Sequence, residues 1–191
     1  MNRNIEDYVK IYDVLDDSIC QQTLKEISRN ALFKQHNFYN PNDGTLYKPA
    51  GDEELDISHF QPSTVPIIMI NLCYCLQQYI NEFNFPWFLT WNGYSELRWN
   101  RYDSNRRMSL HWDQIHSLFD GTKKGVPTLS MVGSLNTKDK DYTGGEFIMF
   151  DDKEYNLKAG QVLIFPSTFM YPHKVNLVTS GTRYSFVSWV W

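Results

Sequence analysis

The spacing of apolar residues changes near position 94, and the change divides the chain. Before it, apolar positions recur every three to four residues. Cys20, Leu24, Ile27 and Ala31 mark one stripe of a helix, with Asp16 or Asp17 where its cap belongs. A second helical pattern opens at Thr64, carries Pro66 in its first turn and runs to about Phe83. Residues 38–62 between them read as a loop, with Asn-Pro and Asp-Gly signals and an acidic run, Asp52-Glu53-Glu54. Solvated charges are expected there, and the length of the segment suggests that it faces a substrate.

From Tyr94 the period is two. Over residues 95–102, Arg98, Asn100 and Tyr102 fall on one face and Leu97 and Trp99 on the other. Strand-like runs follow at 128–135, 146–150, 154–157, 162–165, 171–178 and 183–190. Turn signals separate them at Thr143-Gly144-Gly145, Asp151-Asp152, Ala159-Gly160 and Ser180-Gly181. About eight short strands predict a β-sandwich or barrel. Neither linker composition nor an internal repeat divides the chain. One domain over 1–191 is expected, with 1–93 as a helical support and 94–191 as the β core.

Composition narrows the function. Hydrophobic residues make up 42% of the chain and the net charge is −4, so a packed core is expected and a chain-wide basic footprint for nucleic acid is not. Residues 1–10 carry no apolar leader segment, and the apolar stretch 65–76 is short and contains Asn71. The three cysteines, Cys20, Cys73 and Cys75, are sparse and odd in number, which fits reduced thiols and a cytoplasmic protein without membrane contact. Cys73 and Cys75 lie in the second helical pattern and are expected to pack in the core rather than bind metal.

The chemistry concentrates in the β half. His111 and Asp113 are two apart, so on an extended strand both side chains reach one ion, and His173 supplies a second imidazole from a distant strand. Two neutral imidazoles and one carboxylate are the ligand set of a mononuclear iron(II) site with an open face. Arg183, in an otherwise apolar terminal run, offers a fork of donors suited to a carboxylate. Ser185 and Tyr102 can add hydroxyls to the same anion. His116 competes as a ligand on sequence proximity and is read as an outer residue of the substrate pocket. His36 and His59 have no ligand context and are expected at the surface. Trp112 and Trp189 are read as pocket walls or core. The 114–126 segment, with Gly121, Gly125, Lys123 and Lys124, is read as a lid over the substrate.

Longer runs carry a family resemblance. Tyr102 stands nine residues before His111. Gly144-Gly145-Glu146-Phe147 follows, then Gly160-Gln161-Val162-Leu163-Ile164-Phe165-Pro166-Ser167, His173-Lys174-Val175, Gly181-Thr182-Arg183-Tyr184-Ser185 and Trp189. This combination, over residues 99–191, resembles the prolyl 4-hydroxylase-like branch of the iron(II)/2-oxoglutarate-dependent oxygenases, in its bacterial and phage versions. The resemblance implies a mainly β double-stranded β-helix of the jelly-roll or cupin type, with the N-terminal helices packed on the barrel. It implies Fe(II) on His111, Asp113 and His173, with 2-oxoglutarate held by Arg183, Tyr102 and Ser185. It also implies O2 as oxidant and ascorbate as reductant. The reaction would couple decarboxylation of 2-oxoglutarate to succinate with hydroxylation of a C–H bond, foremost a prolyl residue of a peptide or protein. A phage-encoded member would act in the host cytoplasm.

Two departures stand out. Some members carry a Tyr where this chain has Ser134 before Leu135-Asn136, and collagen-type members often have Lys where it has Arg183. Asn100-Arg101-Tyr102 and Ser109-Leu110-His111 also resemble the AlkB-like nucleic-acid dealkylases, in which Arg98, Arg101, Arg106 and Arg107 would hold a phosphate backbone. The Gly-Gly-Glu and Phe-Pro-Ser runs favour the hydroxylase branch. A free amino-acid or small-molecule hydroxylase, and a non-catalytic β-helix binding module, complete the alternatives. The oligomeric state is not legible.

Overall fold

The computed structural model describes residues 3–39, 45–47, 53–84, 91–114 and 126–191. After a short 3-10 turn, Ile5–Tyr8, the elements run β1 (Lys10–Asp13), α1 (Asp17–Asn30), β2 (Lys34–Gln35), β3 (Phe38–Tyr39), β4 (Leu46–Tyr47), β5 (Asp56–Ser58), α2 (Val65–Phe83), β6 (Arg98–Tyr102) and β7 (Met108–His111). They continue with β8 (Leu129–Ser134), β9 (Tyr142–Gly144), β10 (Phe147–Met149), β11 (Lys153–Glu154), β12 (Gln161–Pro166), β13 (His173–Val175), β14 (Val178–Gly181) and β15 (Arg183–Val190).

A seven-stranded sheet, ordered β1-β12-β8-β15-β6-β5-β2, faces a four-stranded sheet, ordered β11-β10-β13-β7. Every ladder in both is antiparallel. The fold is mainly β, a double-stranded β-helix with two helices against its larger sheet.

Strand alternation builds two cores at once. In β12, Val162 and Ile164 join Leu97, Trp99, Met131, Phe186 and Val190 under the helices, while Leu163 and Phe165 face the space between the sheets. The helices complete the first cluster with Cys20 and Ile27 from α1 and Ile68, Leu72, Cys75, Leu76, Tyr79 and Phe83 from α2. Both ends of α2 match the sequence reading. Thr64 is its N-cap with Pro66 in the first turn, and Asn84 ends it in the left-handed region at φ 46°.

The expected stripe of α1 is altered. Asp16 is the N-cap residue but makes no side-chain cap bond, and Thr23 joins Cys20 and Ile27 as a buried position. Its hydroxyl meets that of Thr64 at 2.6 Å and donates to the Ile19 carbonyl at 2.7 Å, tying the two helices together. Among the cysteines, Cys20 and Cys75 are buried as expected, whereas Cys73 is half-buried.

Three further differences follow from pairing that local pattern does not encode. The N-terminal half supplies β1, β2 and β5 to the large sheet, so it is more than a helical support. The predicted 171–178 run is two strands, β13 and β14, which belong to different sheets. The Thr143-Gly144 turn signal lies inside β9, where Gly144 takes φ +73° and a Cβ would sit 2.3 Å from the Leu177 carbonyl oxygen.

Candidate metal and cosubstrate site

β7 and β13 pair so that His111 lies opposite His173. Asp113 follows two residues after His111, just beyond the strand end, and is 4% exposed. The three residues each direct one ligand atom to a common point, all within 4.8 Å of one another. His111 Nε2 is 3.5 Å from Asp113 Oδ1, and His173 Nε2 is 3.8 Å from Asp113 Oδ2.

Each ligand is fixed from behind. His111 Nδ1 donates to the Ser109 carbonyl at 2.8 Å, and His173 Nδ1 to the Tyr171 carbonyl at 3.1 Å. A carbonyl only accepts, so each Nδ1 carries the proton and each Nε2 keeps a lone pair for a metal. Phe147 stacks on the His173 ring at 5.2 Å and Phe165 meets it edge-on at 5.1 Å. Ser130 donates to Asp113 Oδ2 at 2.6 Å and shares a 2.8 Å hydroxyl contact with Ser167.

Electrostatics favour a neutral His173 and an ionised Asp113. Burial lowers the His173 pKa to about 4, with the neighbouring His111 acting in the same direction, so the ring is neutral near pH 7. Burial alone would raise the Asp113 pKa. His173, His111 and the Ser130 hydrogen bond outweigh it and hold the carboxyl well below the usual range. Two imidazole Nε2 atoms and an ionised carboxylate are a donor set that fits Fe(II).

The triad lines a pocket between the sheets, about 370 Å³ including its mouth. Arg183, 3% exposed, lines the same pocket. Its guanidinium lies 4.8 Å from the Tyr102 ring centre, and Nη1 donates to Ser185 Oγ at 3.1 Å. Arg183 faces Tyr102 in the ladder and Ser185 faces Asn100, so one register brings these side chains together. Burial raises the Tyr102 pKa and Arg183 opposes it; the phenol stays protonated and able to donate. Gly145, at φ +64°, lets the Arg183 stem pass, since a Cβ there would lie 3.2 Å from Arg183 Cδ. Ser134 is buried and donates to the Asn136 carbonyl at 2.7 Å.

Other expected residues are redistributed. Trp189 is buried and lines the pocket, while Trp112 is 45% exposed. His59 is exposed as expected. His36 instead is half-buried, packs edge-on against Phe38 at 4.8 Å, and is held neutral because burial lowers its pKa to about 2. Phe38 in turn meets the His111 ring at 5.8 Å.

The arginines considered for a phosphate backbone bind the protein itself. Arg98 lies over the Trp189 ring, Arg101 pairs with Asp56 and Asp103, Arg106 donates to the Glu54 carbonyl, and Arg107 pairs with Glu53. His116 and the interior of the expected lid, residues 115–125, lie outside the described residues.

Sequence reasoning gave no role to Ser130 or Ser167, and gave Arg98 a phosphate-backbone role where the structure places it in the pocket lining. A signal existed for Ser130, a lone polar residue amid the apolar 129–132 run. Ser167 ends the Phe-Pro-Ser run, and its hydroxyl supports Ser130.

A buried two-His, one-carboxylate centre facing an Arg-lined pocket, inside a double-stranded β-helix, defines the class as an iron and 2-oxo-acid oxygenase fold. Comparison with known proteins agrees. Residues 97–191 match the model of the 2OG-Fe(II) oxygenase superfamily, and this half of the chain belongs to that superfamily. A PKHD-type hydroxylase of Acinetobacter baumannii is 36% identical over 95 residues, covering 48% of this chain and 40% of the relative. The chain therefore spans about two fifths of that relative's length. A viral collagen prolyl hydroxylase from Paramecium bursaria Chlorella virus-1 superposes with a TM-score of 0.66 at 16% identity, over 100% of this chain and 93% of that one. A Trichoplax adhaerens prolyl hydroxylase, in complex with a hypoxia-inducible-factor peptide fragment, gives 0.66 at 16% identity over 96% and 83%. The fold is thus that of the prolyl 4-hydroxylase-like branch.

Proposed function

We propose that this chain is an Fe(II)- and 2-oxoglutarate-dependent dioxygenase that hydroxylates a C–H bond, with a prolyl residue of a peptide or protein as the favoured substrate. One observation carries the reading: three convergent ligand atoms and a buried Arg183 share a single pocket. His111, Asp113 and His173 hold the iron. Arg183 takes the distal carboxylate of 2-oxoglutarate through its fork, with Ser185 and the protonated Tyr102 hydroxyl beside it. Bound iron and 2-oxoglutarate would activate O2 as the oxidant, one oxygen atom ending in succinate as the cosubstrate loses CO2 and the other entering the substrate C–H bond. The protein's part is to keep the His173 imidazole neutral, to orient both imidazoles through backbone carbonyls, to hold Asp113 through Ser130, and to line the pocket with Val132, Phe147, Val187 and Trp189 against water.

A peptide substrate is supported by the fold shared with a prolyl hydroxylase bound to a peptide fragment. Among the described residues no helix is long and apolar enough to cross a membrane; action in the cytoplasm is part of the proposal.

The test begins with anaerobic Fe(II) and 2-oxoglutarate binding. Succinate release is then measured on admitting air, with ascorbate present as reductant, for wild type and His173→Ala. Pro-containing peptides, free amino acids and methylated oligonucleotides are compared for stimulated turnover. Succinate from wild type alone supports the oxygenase, and the stimulating substrate selects the branch. No cosubstrate binding, and no succinate with any member of the panel, would leave a binding module.

A further inference from the structure

The acidic run expected to be solvated contains a buried carboxylate. Glu54 is 2% exposed and lies outside the region that matches the family model. It belongs to a strap clamped onto the approach to β7. Arg107 N–H donates to the Glu53 carbonyl at 2.7 Å, Leu55 N–H to the Arg107 carbonyl at 2.9 Å, and Arg106 Nη1 to the Glu54 carbonyl at 2.9 Å. The Glu54 side chain turns to Ser109. Oε2 accepts the Ser109 N–H at 3.2 Å, and Oε1 accepts the Ser109 hydroxyl. The Ser109 carbonyl is the acceptor that orients His111. Ser109 therefore links Glu54, which holds its N–H and hydroxyl, to a metal ligand held by its carbonyl.

The other histidine is supported differently. Tyr171, whose carbonyl orients His173, is held by its N–H on the Thr168 carbonyl and its hydroxyl on the Ile5 carbonyl. A carboxylate behind Ser109 does more than a neutral contact. Two donors of one residue converge on it, which fixes Ser109 and with it the direction of the carbonyl that holds His111. Outer partners of this kind tune ligand orientation and basicity. A buried carboxylate is costly without such bonds, so its placement here calls for a return.

We propose that Glu54 is a positioning residue for His111, acting through Ser109, so that the N-terminal half of the chain sets the metal affinity of a centre whose ligands all lie in the C-terminal half. The inference rests on reading His111, Asp113 and His173 as the iron site.

The test is anaerobic titration with Co(II), followed by its visible d–d bands, on wild type, Glu54→Gln, Glu54→Leu, Ser109→Ala and His173→Ala. Apoprotein melting is recorded beside each titration. Glu54→Leu should weaken Co(II) binding by roughly 10- to 100-fold and change the d–d spectrum. Glu54→Gln should restore part of the affinity, because its amide oxygen can still accept one Ser109 donor. Ser109→Ala, which keeps the backbone donor, should fall between Glu54→Leu and wild type. If Glu54→Leu does not fold, Glu54→Gln and Ser109→Ala decide the matter. Folded variants with wild-type affinity and spectrum would overturn the positioning role while leaving the metal site intact. A wild type that takes no Co(II), or takes it no better than His173→Ala, would overturn the iron-site reading and this inference with it.

Discussion

Arg183→Met should pull stability and cosubstrate binding in opposite directions. The guanidinium is 3% exposed, and its contacts are the Tyr102 ring at 4.8 Å and the Ser185 hydroxyl at 3.1 Å. No carboxylate of the described residues pairs with it. Burying a cation costs several kcal/mol, of which the ring contact recovers roughly 1–2 kcal/mol. Met has similar reach and no charge to desolvate. The apoprotein should therefore melt at the same temperature or higher, a gain of up to about 2 kcal/mol, or roughly 4–8 °C at this chain length. Binding of 2-oxoglutarate should respond oppositely. A buried carboxylate deprived of its partner loses about 3–5 kcal/mol, raising Kd by roughly 150- to 5,000-fold. Arg183→Lys keeps the charge but loses the fork, so an intermediate loss of about 10-fold is expected. Differential scanning fluorimetry of the apoprotein and anaerobic calorimetry with Co(II) and 2-oxoglutarate measure the two effects. A Met variant that binds 2-oxoglutarate within threefold of wild type would refute the carboxylate role. One whose apoprotein loses 2 kcal/mol or more would show Arg183 to be a structural cation.

Ser130→Ala removes a 2.6 Å hydrogen bond to a buried carboxylate and orphans the Ser167 hydroxyl. It should cost about 1.5–3 kcal/mol and loosen metal binding about tenfold, read by anaerobic metal titration; unchanged affinity would dismiss Ser130 as a support. Acid should destabilise the apoprotein. The folded state binds a proton at His173 less readily than the unfolded chain, so the stability from the neutral ring is complete above about pH 6.5. It is lost as pH falls toward about 4, by about 3 kcal/mol in total. Urea unfolding at pH 7, 5.5 and 4.5 measures it, and a His173→Gln variant with an equally steep profile would assign the effect elsewhere. Gly133→Ala should cost about 1–3 kcal/mol, because the new Cβ would meet the buried Phe186 ring at 2.0 Å. Adding Phe186→Leu should recover most of that loss, and a Tm for Gly133→Ala equal to wild type would contradict the packing.

Local pattern carried much of this protein. The alternation of Arg98, Asn100 and Tyr102 against Leu97 and Trp99 put three pocket residues on one face, and the structure keeps that division. The spacing of His111 and Asp113, with His173 and Arg183 downstream, named the candidate site before any fold was known. A strand's period is local information, and a ligand set is a choice of residue types, so both are written along the chain. What the sequence left open depends on contacts between distant segments. The acidic run at 52–54 looked solvated because charges usually are, yet the strap at 53–55 locks onto residues 106–109 and buries Glu54. His36 looked solvent-exposed because no ligand pattern surrounds it, yet pairing of β2 with β5 and packing on Phe38 leave it only half-exposed. The sequence by itself determined which faces are apolar and which residues can do the chemistry. Only the tertiary structure decided which strands become neighbours, and with that which polar groups share a buried space, where they must pair with one another because water no longer reaches them.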